Sequence, residues 1–74
     1  MAEQPNDLKK LAGVATDLGL SAELRIKAIQ LIGNISTHDA LLVLLSLAAE
    51  EQLTKKEREI ALKYAIEIVR KTGS

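Results

Sequence analysis

The side chains able to carry chemistry are few, and nothing in their spacing brings them together. His38 is the one histidine and cysteine is absent, so a single chain can assemble neither a Cys-His pair nor a two-histidine metal set. His38-Asp39 lies beside Ser36 and Thr37, in the kind of polar stretch whose oxygens accept the first free amides of a helix. Ser21 and Thr54 suit the same task. The carboxylates Glu50-Glu51 and Glu57/Glu59 read as solvated groups around the connection between two helices. Gly13, Gly19, Gly33 and Gly73 are scattered and form no phosphate-cradling loop. These residues predict no catalytic group, no metal and no cofactor, so the chain is expected not to be an enzyme.

Two arginines are the most informative polar residues. On a helical wheel of about 100° per residue, Arg25 falls inside the apolar arc of Ala28, Ile29, Leu31 and Ile32, and Arg58 sits beside Ala61, Ala65 and Val69. A guanidinium so placed lays its methylenes on neighbouring helices and needs an acceptor for its head. The expected acceptors are turn carbonyls or the carboxylates of Asp17, Asp39 or Glu50, which would make Arg25, Arg58 and Asp39 structural ties between helix pairs. An arginine awaiting a phosphate or carboxylate ligand is the functional alternative.

Four helical segments must position these groups. The first spans about residues 6–18, with Leu8, Leu11, Ala12 and Ala15 on one stripe and Gly19 at its stop. The second, capped by Ser21, covers about 21–34 with Leu24, Ala28, Leu31 and Ile35 at helical spacing, and Gly33-Asn34 supplies residues tolerant of positive φ at its end. The third covers about 37–51. Thr54-Lys55-Lys56-Glu57 matches the capping box, in which the first side chain accepts from the fourth amide and the fourth side chain answers at the first amide. That box opens the last segment, about 54–71. No stretch alternates as a strand does, so the class is all-α.

The chain has 74 residues, 47% apolar and 27% charged, a globular mixture with room for one domain over 1–74. Without cysteine there is no disulfide, and one core of this size leaves only about 3–5 kcal/mol of stability. Met1 to Pro5 has no basic residue and no apolar run follows it, unlike a secretory leader. The longest apolar stretch, residues 40–49, contains Ser46 and is about half of what spans a bilayer. A cytoplasmic protein away from membranes is expected.

Sliding the chain against itself by 33 positions aligns Leu8 with Leu41, Leu11 with Leu44, Ala15 with Ala48, Leu20 with Leu53, Arg25 with Arg58, Ala28 with Ala61 and Ile35 with Ile68. Periods of this length made from helix pairs mark stacked helical units. Leu24-Arg25, Ala28, Leu31-Ile32-Gly33, a polar turn, and then Ala40-Leu41, Leu44-Leu45 and Ala48 together resemble the short HEAT-like repeat of the phycobilin-lyase type. The resemblance covers one unit, about residues 21–51, flanked by what look like half units. It implies a four-helix fragment of a right-handed α-α superhelix, HEAT/armadillo-like, of about two helical repeats. The last segment departs from the pattern, with Glu57 where an apolar residue precedes the arginine and no glycine after Tyr64. Some enzymes of HEAT-like repeats bind iron through His-Glu dipeptides; the single His38-Asp39 does not match them.

The copies differ where Lys9 and Lys10 of the first segment become Leu42 and Val43 of the third. Leu42, Val43 and Leu47, with Ile66 and Val69 and also Leu62 on the last segment, are therefore the candidate association surface. The expected function is a non-enzymatic protein-interaction or assembly module that pairs as a homodimer. The alternative is a nucleic-acid-binding domain, since residues 54–74 hold six basic and three acidic groups against four and seven in residues 1–53. Glu57, Glu59 and Glu67 interrupt that basic character, and Tyr64 is the one aromatic, so nucleic acid is the lesser reading.

Overall fold

The computed structural model describes residues 5–72. They form four α-helices, α1 (Pro5–Ala15), α2 (Ala22–Ile35), α3 (His38–Ala48) and α4 (Lys55–Thr72), and no strand. None of these helices is long and apolar enough to cross a membrane. Three begin as cap chemistry requires. Ser21 accepts from the Leu24 amide and Thr37 from the Ala40 amide, each from an extended backbone conformation. At α4 the capping box is complete, with the Thr54 hydroxyl accepting from Glu57 N at 3.1 Å and the Glu57 carboxylate accepting from Thr54 N at 3.0 Å.

The helix ends differ from the sequence expectation for local reasons. α1 stops at Ala15, short of Leu18, because the chain turns on Asp17, whose carboxylate accepts from Gly19 N at 2.9 Å. α3 stops at Ala48, short of Glu51, at a matching turn on Glu50. α2 runs through Gly33 and Asn34 to Ile35, and the left-handed residue that ends it is Ser36, with φ 59° and its hydroxyl donating to the Gly33 carbonyl. Gly33 is therefore not a terminator.

The 33-residue period is visible in the backbone. It carries both ends of α1 onto those of α3 and the start of α2 onto that of α4. It also carries the turn bonds of the first hairpin onto the second: Asp17 N to Val14 O becomes Glu50 N to Leu47 O, and Leu20 N to Asp17 O becomes Leu53 N to Glu50 O. The intact structural units are thus the hairpins α1–α2 and α3–α4. Within each hairpin the helices pack on one another. Between hairpins α2 meets α4, α2 meets α3, and α1 meets α3 more lightly.

The core lies between the hairpins, formed by Leu8 and Ala15 of α1, Ala28, Ile29 and Ile32 of α2, Ala40, Leu44 and Leu47 of α3, and Ala61, Ala65 and Ile68 of α4, with Leu53 from the turn. The inward face of α2 is Arg25, Ala28, Ile29, Ile32 and Gly33, while Leu24 and Leu31, expected on its apolar stripe, are about half exposed. Gly33 lets α4 come close. A Cβ at that position would lie 2.5 Å from Cδ1 and 2.8 Å from Cγ of Tyr64, so Tyr64 rests its ring edge on bare backbone. That explains a glycine inside a helix, where it costs about 1 kcal/mol relative to alanine.

A sign reversal tests this contact. Gly33→Ala should destabilise the parent by about 1–2 kcal/mol, since overpacking exceeds the gain in helix propensity. In a Tyr64→Ala background the same substitution should stabilise by about 1 kcal/mol. Urea midpoints of the four proteins measure both differences.

Candidate functional site

The one buried ion pair among the described residues joins the hairpins. Glu57 is 1% exposed and Arg25 9%. Oε2 of Glu57 accepts from Arg25 Nη2 at 2.8 Å and from Nε at 3.2 Å, while Oε1 holds the Thr54 amide. The remaining guanidinium nitrogen, Nη1, donates to the Leu20 carbonyl at 2.6 Å and lies 3.5 Å from the Asp17 carbonyl. One arginine therefore fastens the α1–α2 turn, α2 and the first turn of α4, and one glutamate serves as helix cap and counter-ion together.

Burial alone would raise the Glu57 pKa. The hydrogen bond and charge of Arg25 and the bonds from Thr54 outweigh it, holding the carboxyl below its ordinary value of 4.5. The group is ionised at neutral pH and its oxygens are occupied. No buried side-chain nitrogen or oxygen among the described residues lacks a partner. This pair therefore has no free valence to offer a substrate, and it serves as a structural joint.

The sequence expectations are corrected in part. Arg25 does take turn carbonyls, but its carboxylate is that of Glu57, not Asp17, Asp39 or Glu50, because α4 crosses α2 where the two first turns meet. Glu57 was expected in solvent with Glu59; only Glu59 is exposed. Asp39 is exposed in the first turn of α3 and ties nothing. Arg58 is half-buried beside Ala48, Lys55, Glu59 and Leu62 without an ion pair. His38 is exposed at the start of α3, and no group of three or more His, Cys, Asp or Glu able to hold a metal occurs among the described residues.

The candidate association residues separate into two sets. Leu47 is 3% exposed and belongs to the core, and Val43 is half-buried against it, because both point from α3 toward α1, where they line a groove with Ala12 and Gly13. Leu42, Ile66 and Val69 are about half exposed, as are Leu45 and Leu62. Leu41, Leu45, Leu62, Ile66 and Val69 line an open groove of about 150 Å³ between α3 and α4. Beside it, Glu59, Lys63, Glu67 and Arg70 border the same Leu62 and Ile66. Leu45 is the member that the comparison of the two copies missed. It is visible only as the next turn of α3 after Leu41. No protein-family model matches the chain, and neither a curated protein nor a solved structure shows significant similarity to it.

The ion pair generates two predictions. Glu57→Ala strands a buried guanidinium and removes a cap, and should cost about 3–5 kcal/mol, enough to unfold a domain of this size. The double variant Arg25→Met/Glu57→Leu should recover most of that loss, since apolar residues of similar volume replace a buried pair at little cost; circular dichroism and urea titration follow both. Because the Glu57 pKa is lowered on folding, its contribution is complete above the ordinary carboxylate value and disappears as pH falls through the lowered one. Glu57→Gln should therefore be less stable than the parent at pH 7, and the gap should close as the pH drops below about 4.5. Parallel unfolding curves of constant separation would contradict this.

Proposed function

We propose that the protein is a non-enzymatic protein-association module built from two short HEAT-like helical hairpins, and that it works through the α3–α4 face. One observation carries the reading. By the 33-residue period, Leu62 stands where Ile29 stands in the first hairpin and Arg58 where Arg25 stands. Arg25 is buried against Glu57 of α4 and Ile29 is buried in the core between the hairpins, whereas Leu62 is 44% exposed and Arg58 half-buried. The uncovered face of α4 repeats the face of α2 that packs against the next helix. Contiguous exposed apolar groups of this kind mark association surfaces, and stacked hairpins bury each face against a neighbour.

Catalysis has no support in the described side chains, since the one buried charged pair among them is satisfied and His38 is exposed with no other histidine or cysteine to pair with. The rival reading, a nucleic-acid surface on α4, is weakened because Glu59 and Glu67 alternate with Lys63 and Arg70 in one exposed row. A cytoplasmic setting belongs to the same proposal.

The test is whether the fold needs this face. Leu62→Lys/Ile66→Lys should keep the helical circular-dichroism signal and change stability by no more than about 1 kcal/mol, as exposed substitutions do. Loss of the folded state would assign these residues to the core and overturn the reading.

A further inference from the structure

We propose that the occupant of the α3–α4 face is a second copy of this chain, packed through α4 in antiparallel register about a twofold axis beside Ala65. The proposal rests on the reading of that face as an association surface. Its own ground is the charge row along the border of the stripe. Glu59, Lys63, Glu67 and Arg70 are exposed, line one depression with Leu62 and Ile66, and make no ion pair within the protomer. Along α4 their signs run acid, base, acid, base. Reversed, the row runs base, acid, base, acid.

All four members of such a row find an opposite charge only when the copy is turned end for end. Antiparallel α4 helices set Glu59 opposite the partner's Arg70 and Lys63 opposite the partner's Glu67, and the twofold repeats both pairs. One register satisfies all four to within a residue, and it also brings Leu62 beside the partner's Ile66. A twofold axis perpendicular to both helices keeps like flanks together, so the charge row meets the charge row on one border. On the other border Leu42 and Leu45 of α3 approach their own counterparts. A parallel pair has its twofold along the helices, which brings unlike flanks together, so each charge row would face the partner's apolar α3 border and its four charges would find no opposite charge.

Head-to-tail stacking fits less well. It would lay α2 of one copy over α4 of another, and Leu24 holds in the first hairpin the position that Glu57 holds in the second. Arg58 would then be buried against a leucine, where Arg25 has a carboxylate. Such contacts also propagate without closing, whereas the twofold pair is complete at two copies.

Charge exchange on the full chain tests the arrangement, read by sedimentation equilibrium from micromolar to millimolar at low salt. The parent should pass from its 8.0 kDa mass to twice that. Glu59→Arg and Arg70→Glu, each alone, should raise the dimer dissociation constant about tenfold, since each turns two attractive pairs into repulsive ones. Glu59→Arg/Arg70→Glu together should restore dimerisation toward the parent value, although the exchange worsens the spacing of charges within each helix. Purely intrahelical effects would instead accumulate in the double variant. Orientation is read separately with single cysteines in this cysteine-free chain. A mixture of Glu59→Cys and Arg70→Cys should cross-link through a short bis-maleimide, and Glu59→Cys alone should not, its two copies lying about 16 Å apart along the helix pair.

A mass of 8.0 kDa at every concentration would overturn the second copy as occupant, while a folded Leu62→Lys/Ile66→Lys variant would leave the association reading standing. A dimer that the double exchange fails to restore, or that cross-links through Glu59→Cys alone, would overturn the antiparallel arrangement. Masses climbing beyond two copies would show head-to-tail stacking and overturn it equally.

Discussion

The joint between Arg25 and Glu57 is the constraint on which the rest of this small protein depends. A carboxylate and a guanidinium are both withdrawn from water at the crossing of α2 and α4, and each is tolerable there only because the other is present and their remaining valences are filled. The Thr54 amide takes one carboxylate oxygen, and carbonyls of the α1–α2 turn take the far guanidinium nitrogen. Three pieces of backbone, the α1–α2 turn, α2 and the start of α4, are therefore held by two side chains. The arrangement sets the rotation of α2, since turning Arg25 inward toward Glu57 carries Ile29 and Ile32 into the core and leaves Leu24 and Leu31 outside. It also sets the axial position of α4, because Glu57 is part of that helix's own cap. Buried ion pairs add little net stability; this one ties the first turns of α2 and α4 to each other and to the α1–α2 turn.

Two copies of one hairpin give the molecule its second organising fact. The backbone turns repeat bond for bond, yet the side chains on corresponding faces meet different fates because only one hairpin has a neighbour of this chain on its far side. Leu24 and Glu57 occupy the same position in the two hairpins and differ in kind because only Glu57 faces an arginine. Gly33 and Ile66 correspond likewise. The glycine admits Tyr64 at van der Waals range, whereas the isoleucine stands about half exposed on the uncovered face. The second hairpin thus presents a different surface at the same position of the period. Its α4 carries a broad apolar stripe and an alternating charge row in place of the glycine groove that α2 offers.

Much of this was legible in the residues. The capping box announced the start of α4 because its chemistry is local: two side chains and two amides three residues apart decide it. Ser21 and Thr37 could be placed as caps for the same reason. The 33-residue offset was legible because it depends on residue type alone. The inward role of Arg25 was readable from the helical wheel, but its partner was not, since Glu57 is 32 residues away and also satisfied a local role that accounted for it fully. The one available sign was that its counterpart in the other copy is a leucine, which places the glutamate on a face that repeats elsewhere as apolar or close-packed. Leu47 and Leu42 could not be told apart by composition, because α3 is apolar nearly all round and only its neighbours decide which leucines remain in water.

Helix formation, the caps at Ser21 and Thr54 and the 33-residue offset follow from interactions spanning four residues or fewer and from their repetition, so the order of residues is enough to fix them. That the repeats pair as hairpins α1–α2 and α3–α4, in place of one whole unit over 21–51 between half units, is decided by the folded chain. Which carboxylate meets Arg25, why α2 carries Gly33, and which apolar side chains stay exposed depend on how two hairpins are set against each other. That setting arises from contacts between groups some thirty residues apart, where a rotation of one helix by a single position, about 100°, changes which side chains are buried. No local pattern carries that information. It appears only when α4 lies across α2, with Glu57 on Arg25 at one end of the crossing and Tyr64 on Gly33 further along.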